Sequence, residues 1–196
     1  MPQPRVIAVG DGIAYEGPAG GRGSDGVLWK PWGLKPHQGE PLWAKVHGPR
    51  QRRAMRKHLC QVCGGPADRD EHGWLWLLED QREEAGPKWP DGWLTAHPPV
   101  CQPCAPIAAR HCPHLRRTGA VPVRVRDVVL DAAYGQRYYR GPLRPTAGER
   151  DVFLMTRWHR PWVVANQLAA TLSGCTILDP AEVRIETPAP RTAGRR

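Results

Sequence analysis

Two Cys-x-x-Cys pairs dominate the reading of this chain: Cys60 with Cys63, and Cys101 with Cys104 about 37 residues later. Four thiolates that converge on one ion force the segment between them to leave and return to the same point. The first pair lies in Cys60-Gln61-Val62-Cys63-Gly64-Gly65, the form of a zinc knuckle. Its glycines let the backbone curl through positive φ. The second pair, Cys101-Gln102-Pro103-Cys104, opens a predicted helix whose partial positive charge favours thiolates. A knuckle, a strand-containing insert and a pair at a helix start form the layout of a treble clef around one structural zinc ion. Cys60, Cys63, Cys101 and Cys104 are therefore the expected ligands. Cys112 and Cys175 read as small buried hydrophobes. His97, His111 and His114 stand near the second pair and read as surface or outer-sphere residues once four cysteines are present.

The redox compartment bears on this reading. The only apolar stretch near the start, Val6 to Val9, is too short for a secretory signal, and nothing approaches the ~20 apolar residues that span a bilayer. A cytoplasmic location is expected, with no membrane partner. In a reducing compartment, paired cysteines mean metal more often than disulfide. Lys and Arg number 28 against 19 Asp and Glu, a net charge of +9. A zinc tetrathiolate adds a local charge of about −2, so the protein stays basic. That balance favours phosphates, acidic proteins or anionic lipid heads, and equally suits an Arg-rich chain with no such partner.

With 21 Gly and 22 Pro in 196 residues, the fold class expected is α+β: a small zinc-centred core, loop-rich, with short strands and a few helices. Residues 1–48 read as an irregular Trp/Pro-rich arm, with a short strand at Val6–Val9 and Trp29, Trp32 and Trp43 pinning it to a core. Residues 49–118 form the treble-clef-like zinc module. It opens on a helix over 49–59, with Pro49 in the first turn and Met55 and Leu59 on one face. Within it, Gly73–Glu79 reads as a strand buried on both faces, and 102–112 as a helix bounded by Pro103 and Pro113. Residues 119–186 form an α+β part packed on the module. There, 121–130 reads as a half-exposed strand with Arg124 and Arg126 outward, pairing with Tyr134–Tyr139 across a turn near Asp131. A strand is expected at 151–156. A helix is expected over Pro161–Leu172, from Val164, Leu168 and Leu172 at four-residue spacing, capped at Gly174. A further strand is expected in Ile177–Ile185. Residues 187–196 read as a disordered tail.

The stretches Leu59-Cys60-Gln61-Val62-Cys63-Gly64-Gly65-Pro66, His97-Pro98-Pro99-Val100-Cys101-Gln102-Pro103-Cys104 and Cys112-Pro113-His114-Leu115 carry a resemblance. They look like a group of four-cysteine zinc-binding, treble-clef-like proteins from actinobacteria and their phages. The resemblance covers roughly residues 40–118 and implies no particular activity. In related phage versions the first ligand of the second pair looks like a histidine, which suits Cys101 and Cys104 as ligands here.

A remoter resemblance is to zinc-binding HNH endonucleases, which carry two Cys-x-x-Cys pairs around a catalytic metal site. Glu71-His72 can stand for the first catalytic element of that family. The rest departs from its pattern: Ala105 follows Cys104, where a last metal ligand is required, and the only asparagine is Asn166. Cleavage needs a general base and a bound divalent metal together, which His72 alone cannot supply. No catalytic residue is assigned. The expectation is a non-catalytic, zinc-stabilised binding protein that contacts nucleic acid through an Arg-rich face, with Arg52, Arg53, Arg56 and Lys57 as contacts. The alternatives are a protein–protein adaptor using Trp-rich surfaces and a degenerate HNH-type nuclease.

Overall fold

The run Gly73–Glu79 places apolar side chains on both sides of an extended chain, and the structure buries both. In the computed structural model, which describes residues 4–17, 21–32, 43 and 45–185, this run is strand β5. The strands preceding it are β1 (Val6–Val9), β2 (Gly12–Tyr15), β3 (Leu28–Trp29) and β4 (Arg69–Asp70). After it come β6 (Leu94–Thr95), β7 (Ala120–Tyr139), β8 (Thr146–Leu154) and β9 (Val163–Ile177). The helices are α1 (Gly48–Lys57), α2 (Arg82–Ala85), α3 (Ala105–His111) and α4 (Pro113–Thr118). The fold is mixed α+β.

One seven-stranded sheet runs in the order β3-β9-β7-β5-β4, with β6 beside β9 and β8 beside β7. All of its pairs are antiparallel except β3 with β9. β1 and β2 form a separate hairpin. On one face of β5, Trp76 and Leu78 join Met55 of α1 and Val121, Val123, Val125, Leu168 and Leu172 in a core. On the other face, Leu75 and Leu77 pack with Cys60, Val100, Cys104, Ala108 and Leu115. β5 is thus the shared wall between the sheet core and the cysteine cluster. Gly73, at its start, has φ +112°, and a Cβ there would lie 2.0 Å from the Val125 carbonyl oxygen. Only glycine permits this approach of β5 to β7.

Several expectations are corrected. Pro161–Leu172 is not helical: a 3₁₀ turn at Arg160–Trp162 leads into β9, 15 residues long. Val164, Leu168 and Leu172 are four apart, which is one turn of a helix but also two repeats of a strand, so the spacing fits both. Pairing along β7 decides for the strand. Gly174, with φ +63°, faces Arg126 within the β7–β9 ladder and caps no helix. The hairpin expected near Asp131 is also absent. β7 is one strand of 20 residues, and Asp131 sits where the β7–β9 register shifts between Val129 and Ala132. There its carboxylate accepts hydrogen bonds from the Thr171 amide (3.2 Å) and hydroxyl (2.9 Å). A turn-type residue here closes a bulge. The strands are consequently not all short.

Arg124 points inward, not outward. Its guanidinium lies 2.6 Å from Asp68 and 3.0 Å from Asp70, and only 9% of the side chain is exposed. Ile177–Ile185 gives no strand beyond the end of β9. Its centre is a 3₁₀ turn, Pro180–Val183, capped reciprocally by Asp179 and Glu182. The strand expected at 151–156 is the end of β8. Trp29 packs against the core, and Trp43 stacks on His111 with ring centroids 5.0 Å apart. The tail at 187–196 lies outside the described residues. No helix among the described residues is long and apolar enough to cross a membrane.

Candidate metal centre and basic helix

Helix α1 delivers the chain to Cys60. Pro49 stands in its first turn, and His58 ends it in the left-handed conformation, φ 47° and ψ 51°. The Leu59 amide then donates back to Ala54 at 2.9 Å, turning the chain out of the helix. The knuckle closes through Cys60 N–H to the Gly65 carbonyl (2.7 Å) and Gly64 N–H to the Cys60 carbonyl (2.8 Å). Gly64 supplies the positive φ, +78°. The Arg50 guanidinium donates to the Val62 carbonyl at 2.7 Å, tying helix and knuckle into one unit.

Backbone pairing also explains how the second pair of cysteines meets the first. Segment Pro99-Val100 lies between the knuckle and β5. Gln61 N–H donates to Pro99 (3.1 Å), Asp68 N–H to Val100 (3.0 Å) and Val100 N–H to Leu75 (2.9 Å). Cys101 follows directly, and a 3₁₀ turn, Gln102–Cys104, carries Cys104 into α3. The Sγ atoms of Cys60, Cys63, Cys101 and Cys104 all lie within 4.8 Å of one another. Cys63 and Cys101 are 3.8 Å apart, and none of the six cysteines is in a disulfide. Among the described residues this is the one group of His, Cys, Asp or Glu side chains so closely gathered. The four thiols are placed to share one metal ion.

The thiols of the cluster differ in their surroundings. A backbone N–H from Gly65 holds the Cys63 thiol below its ordinary range. Burial pushes the Cys101 and Cys104 thiols up, with neighbouring thiolate charge adding to the effect. Four thiolates so close together repel one another unless a metal balances them.

Cys112 is packed beside the cluster's apolar shell but is not among the four. Cys175 lies across the sheet, where burial first and Asp91 second push its thiol up to about 12. His97 and His114 flank Glu79: His114 Nδ1 is 3.4 Å and His97 Nε2 is 3.9 Å from its Oε1. Glu71 and His72 occupy the exposed tip between β4 and β5, 3.9 Å apart.

Apart from Arg50, the basic residues of α1 divide into two sets. Arg52 is half-buried, with its guanidinium 4.5 Å from the Trp29 ring centroid, and Arg56 pairs with Asp25 at 3.3 Å. Arg53 and Lys57 are exposed. Met55 faces the sheet core as expected. Gln51, which periodicity alone did not single out, is buried beneath α1 and hydrogen-bonded to Ala96 and Leu168. Comparison of the chain with family models, with curated proteins and with solved structures gives no significant match.

Proposed function

We propose that this chain is a non-catalytic, zinc-stabilised protein that binds nucleic acid through the cations of α1. Zinc is the ion that suits the cluster. A tetrahedral site with Zn–S bonds of about 2.3 Å has S···S edges of about 3.8 Å, and the Cys63–Cys101 separation is 3.8 Å. Knuckle, β4–β5 hairpin and helix succeed one another in the order of a treble clef. Binding of structural zinc contributes on the order of 10 kcal/mol to folding, which suits a chain with so many turns.

The observation that carries the nucleic-acid reading is the coupling of α1 to the knuckle. The helix ends shortly before Cys60, and Arg50 holds the Val62 carbonyl. Metal binding therefore fixes Arg53, Arg56 and Lys57 on a rigid support, which lowers the entropy lost when they engage phosphates. Among the described residues, the acid paired with this set is Asp25, through Arg56.

The test is fluorescence anisotropy with labelled DNA and RNA across a salt series. Binding should weaken steeply with salt, and Arg53→Gln with Lys57→Gln should flatten the slope by about 0.7–0.9 per lost phosphate contact without releasing zinc. Absence of binding at low salt sinks the proposal.

A further inference from the structure

A second group of cations adjoins α1, and it includes an exposed tryptophan. Trp158 lies in the turn between β8 and β9 and is 71% exposed. The turn is held at many points. Met155 N–H donates to Asp131 (2.8 Å), Arg160 N–H to Thr156 (3.0 Å), His159 N–H to the Thr156 hydroxyl (3.3 Å) and the Arg160 guanidinium to Met155 (2.8 Å). The His159 ring nitrogen Nδ1 lies 2.9 Å from the Leu154 carbonyl. A large aromatic ring is thus presented to solvent on a fixed support, with the Arg157 guanidinium 4.4 Å from its centroid.

This turn is joined to the basic helix. Arg22 donates to the carbonyls of Arg160 (2.9 Å) and Pro161 (2.8 Å), and also to that of Gly26 (2.9 Å). Gly26 lies under the Arg160 stem, since a Cβ there would be 3.3 Å from Arg160 Cδ. The preceding residue, Asp25, takes Arg56 of α1 at 3.3 Å and the Trp29 indole N–H at 3.2 Å. Arg52 lies over Trp29. Arg22, Arg52, Arg56 and Arg160 therefore surround one short loop that carries one carboxylate. Asp11 and Glu16 are paired elsewhere, with Arg140 and Arg5, and residues 152–178 contain no acid at all. Burial, and after it the neighbouring guanidinium, disfavours the charged form of both Arg22 and Arg52.

We infer that this surface, from α1 across the Asp25 loop to Trp158, binds single-stranded nucleic acid, with phosphates on the exposed cations Arg53, Arg56, Lys57 and Arg157 and an unpaired base stacked on Trp158. The inference rests on the nucleic-acid reading above and adds the form of nucleic acid to it. Phosphate contacts alone do not distinguish duplex from single strand. A projecting tryptophan does, because the bases of a duplex already stack on one another and offer their faces only when unpaired.

The test uses the full zinc-loaded chain with a labelled oligo-dT of about 12 nucleotides, its RNA counterpart and a duplex of the same length, a span suited to one small domain. The single strands should bind more tightly than the duplex. Trp158→Ala should weaken single-strand binding by about 10-fold or more, Trp158→Phe should retain most of it, and duplex binding should change little. Because Trp158 is exposed, both variants should keep their zinc and their circular dichroism spectrum. Equal affinity of the parent for duplex and single strand, or a Trp158→Ala variant that binds oligo-dT as the parent does, overturns the inference. In that event, loss of duplex binding in the Arg53→Gln, Lys57→Gln variant would leave the broader reading standing. Displacement of the oligonucleotide by poly-glutamate with equal effect on parent and Trp158→Ala would mark a general polyanion surface and likewise overturn it.

Discussion

Replacing Gln51 with leucine should destabilise the protein by about 2–6 kcal/mol, although the residue touches neither the metal cluster nor the proposed ligand. Gln51 is 3% exposed and projects from α1 into a gap along β9. β3 pairs with β9 at Val164 and Ala165, and β6 pairs at Ala170 and Thr171. Between them, the Leu168 backbone is served by Gln51: its Nε2 donates to the Leu168 carbonyl (2.7 Å), and its Oε1 accepts from the Leu168 N–H (2.9 Å). The same Nε2 donates to Ala96 at 2.6 Å. One side chain thus completes the strand ladder and ties α1, β9 and the segment after β6 together. Leucine of similar size leaves three backbone groups without these partners, at about 1–3 kcal/mol each, less what burial of its apolar surface returns. Gln51→Glu should be at least as harmful at neutral pH, because a carboxylate oxygen would then face two carbonyls. Urea unfolding followed by circular dichroism at fixed excess zinc measures the loss. Arg53→Gln, on the exposed face of the same helix, should stay within about 0.5 kcal/mol of the parent. A loss below about 1 kcal/mol in Gln51→Leu would refute the reasoning.

Arg124→Met should cost about 2–3 kcal/mol, because Asp68 and Asp70 keep partial solvent access but lose their shared cation; Asp68→Asn in the same chain should recover part of the loss, as a double-mutant cycle in urea would show. Gly73→Ala should prevent normal pairing of β5 with β7, since the new Cβ meets the Val125 carbonyl at 2.0 Å, and should appear as low soluble yield or a lost near-ultraviolet spectrum; native-like stability would contradict that contact. With its thiol pushed up to about 12, Cys175 should be alkylated by iodoacetamide at pH 8 far more slowly than an ordinary cysteine, its thiolate fraction being on the order of 1 in 10,000. Because this pKa is raised on folding, the stability it contributes is complete below the ordinary thiol value of 9.0 and is lost as pH rises toward about 12, so Cys175→Ser should flatten the alkaline limb of a stability profile; an unchanged limb would count against the shift.

The parts legible in the sequence were those fixed by short-range chemistry. Pro49 and the Met55 periodicity located α1, the apolar run located β5, and the paired cysteines located the cluster. What escaped was settled by partners far away in the chain. The spacing of Val164, Leu168 and Leu172 is neutral between helix and strand until β7 is present. Asp131 looks like a turn residue because polarity does not reveal that Thr171 waits opposite. Arg124 alternates with valines and therefore reads as exposed, and only the β4–β5 hairpin brings Asp68 and Asp70 to meet it. Arg52 and Arg56 share a face by spacing, yet the Asp25–Trp29 loop, well before α1 in the chain, decides what they touch. The exposure of Trp158 depends likewise on contacts from Asp131 and Arg22.

The metal centre is tested most directly by X-ray absorption at the zinc edge on protein purified without added metal. The expected result is one zinc per chain in a shell of four sulfur atoms at about 2.3 Å, unchanged in the Cys112→Ser, Cys175→Ser variant and lost in Cys63→Ser. A shell containing nitrogen or oxygen, or a metal-free protein that keeps the fold, would contradict it.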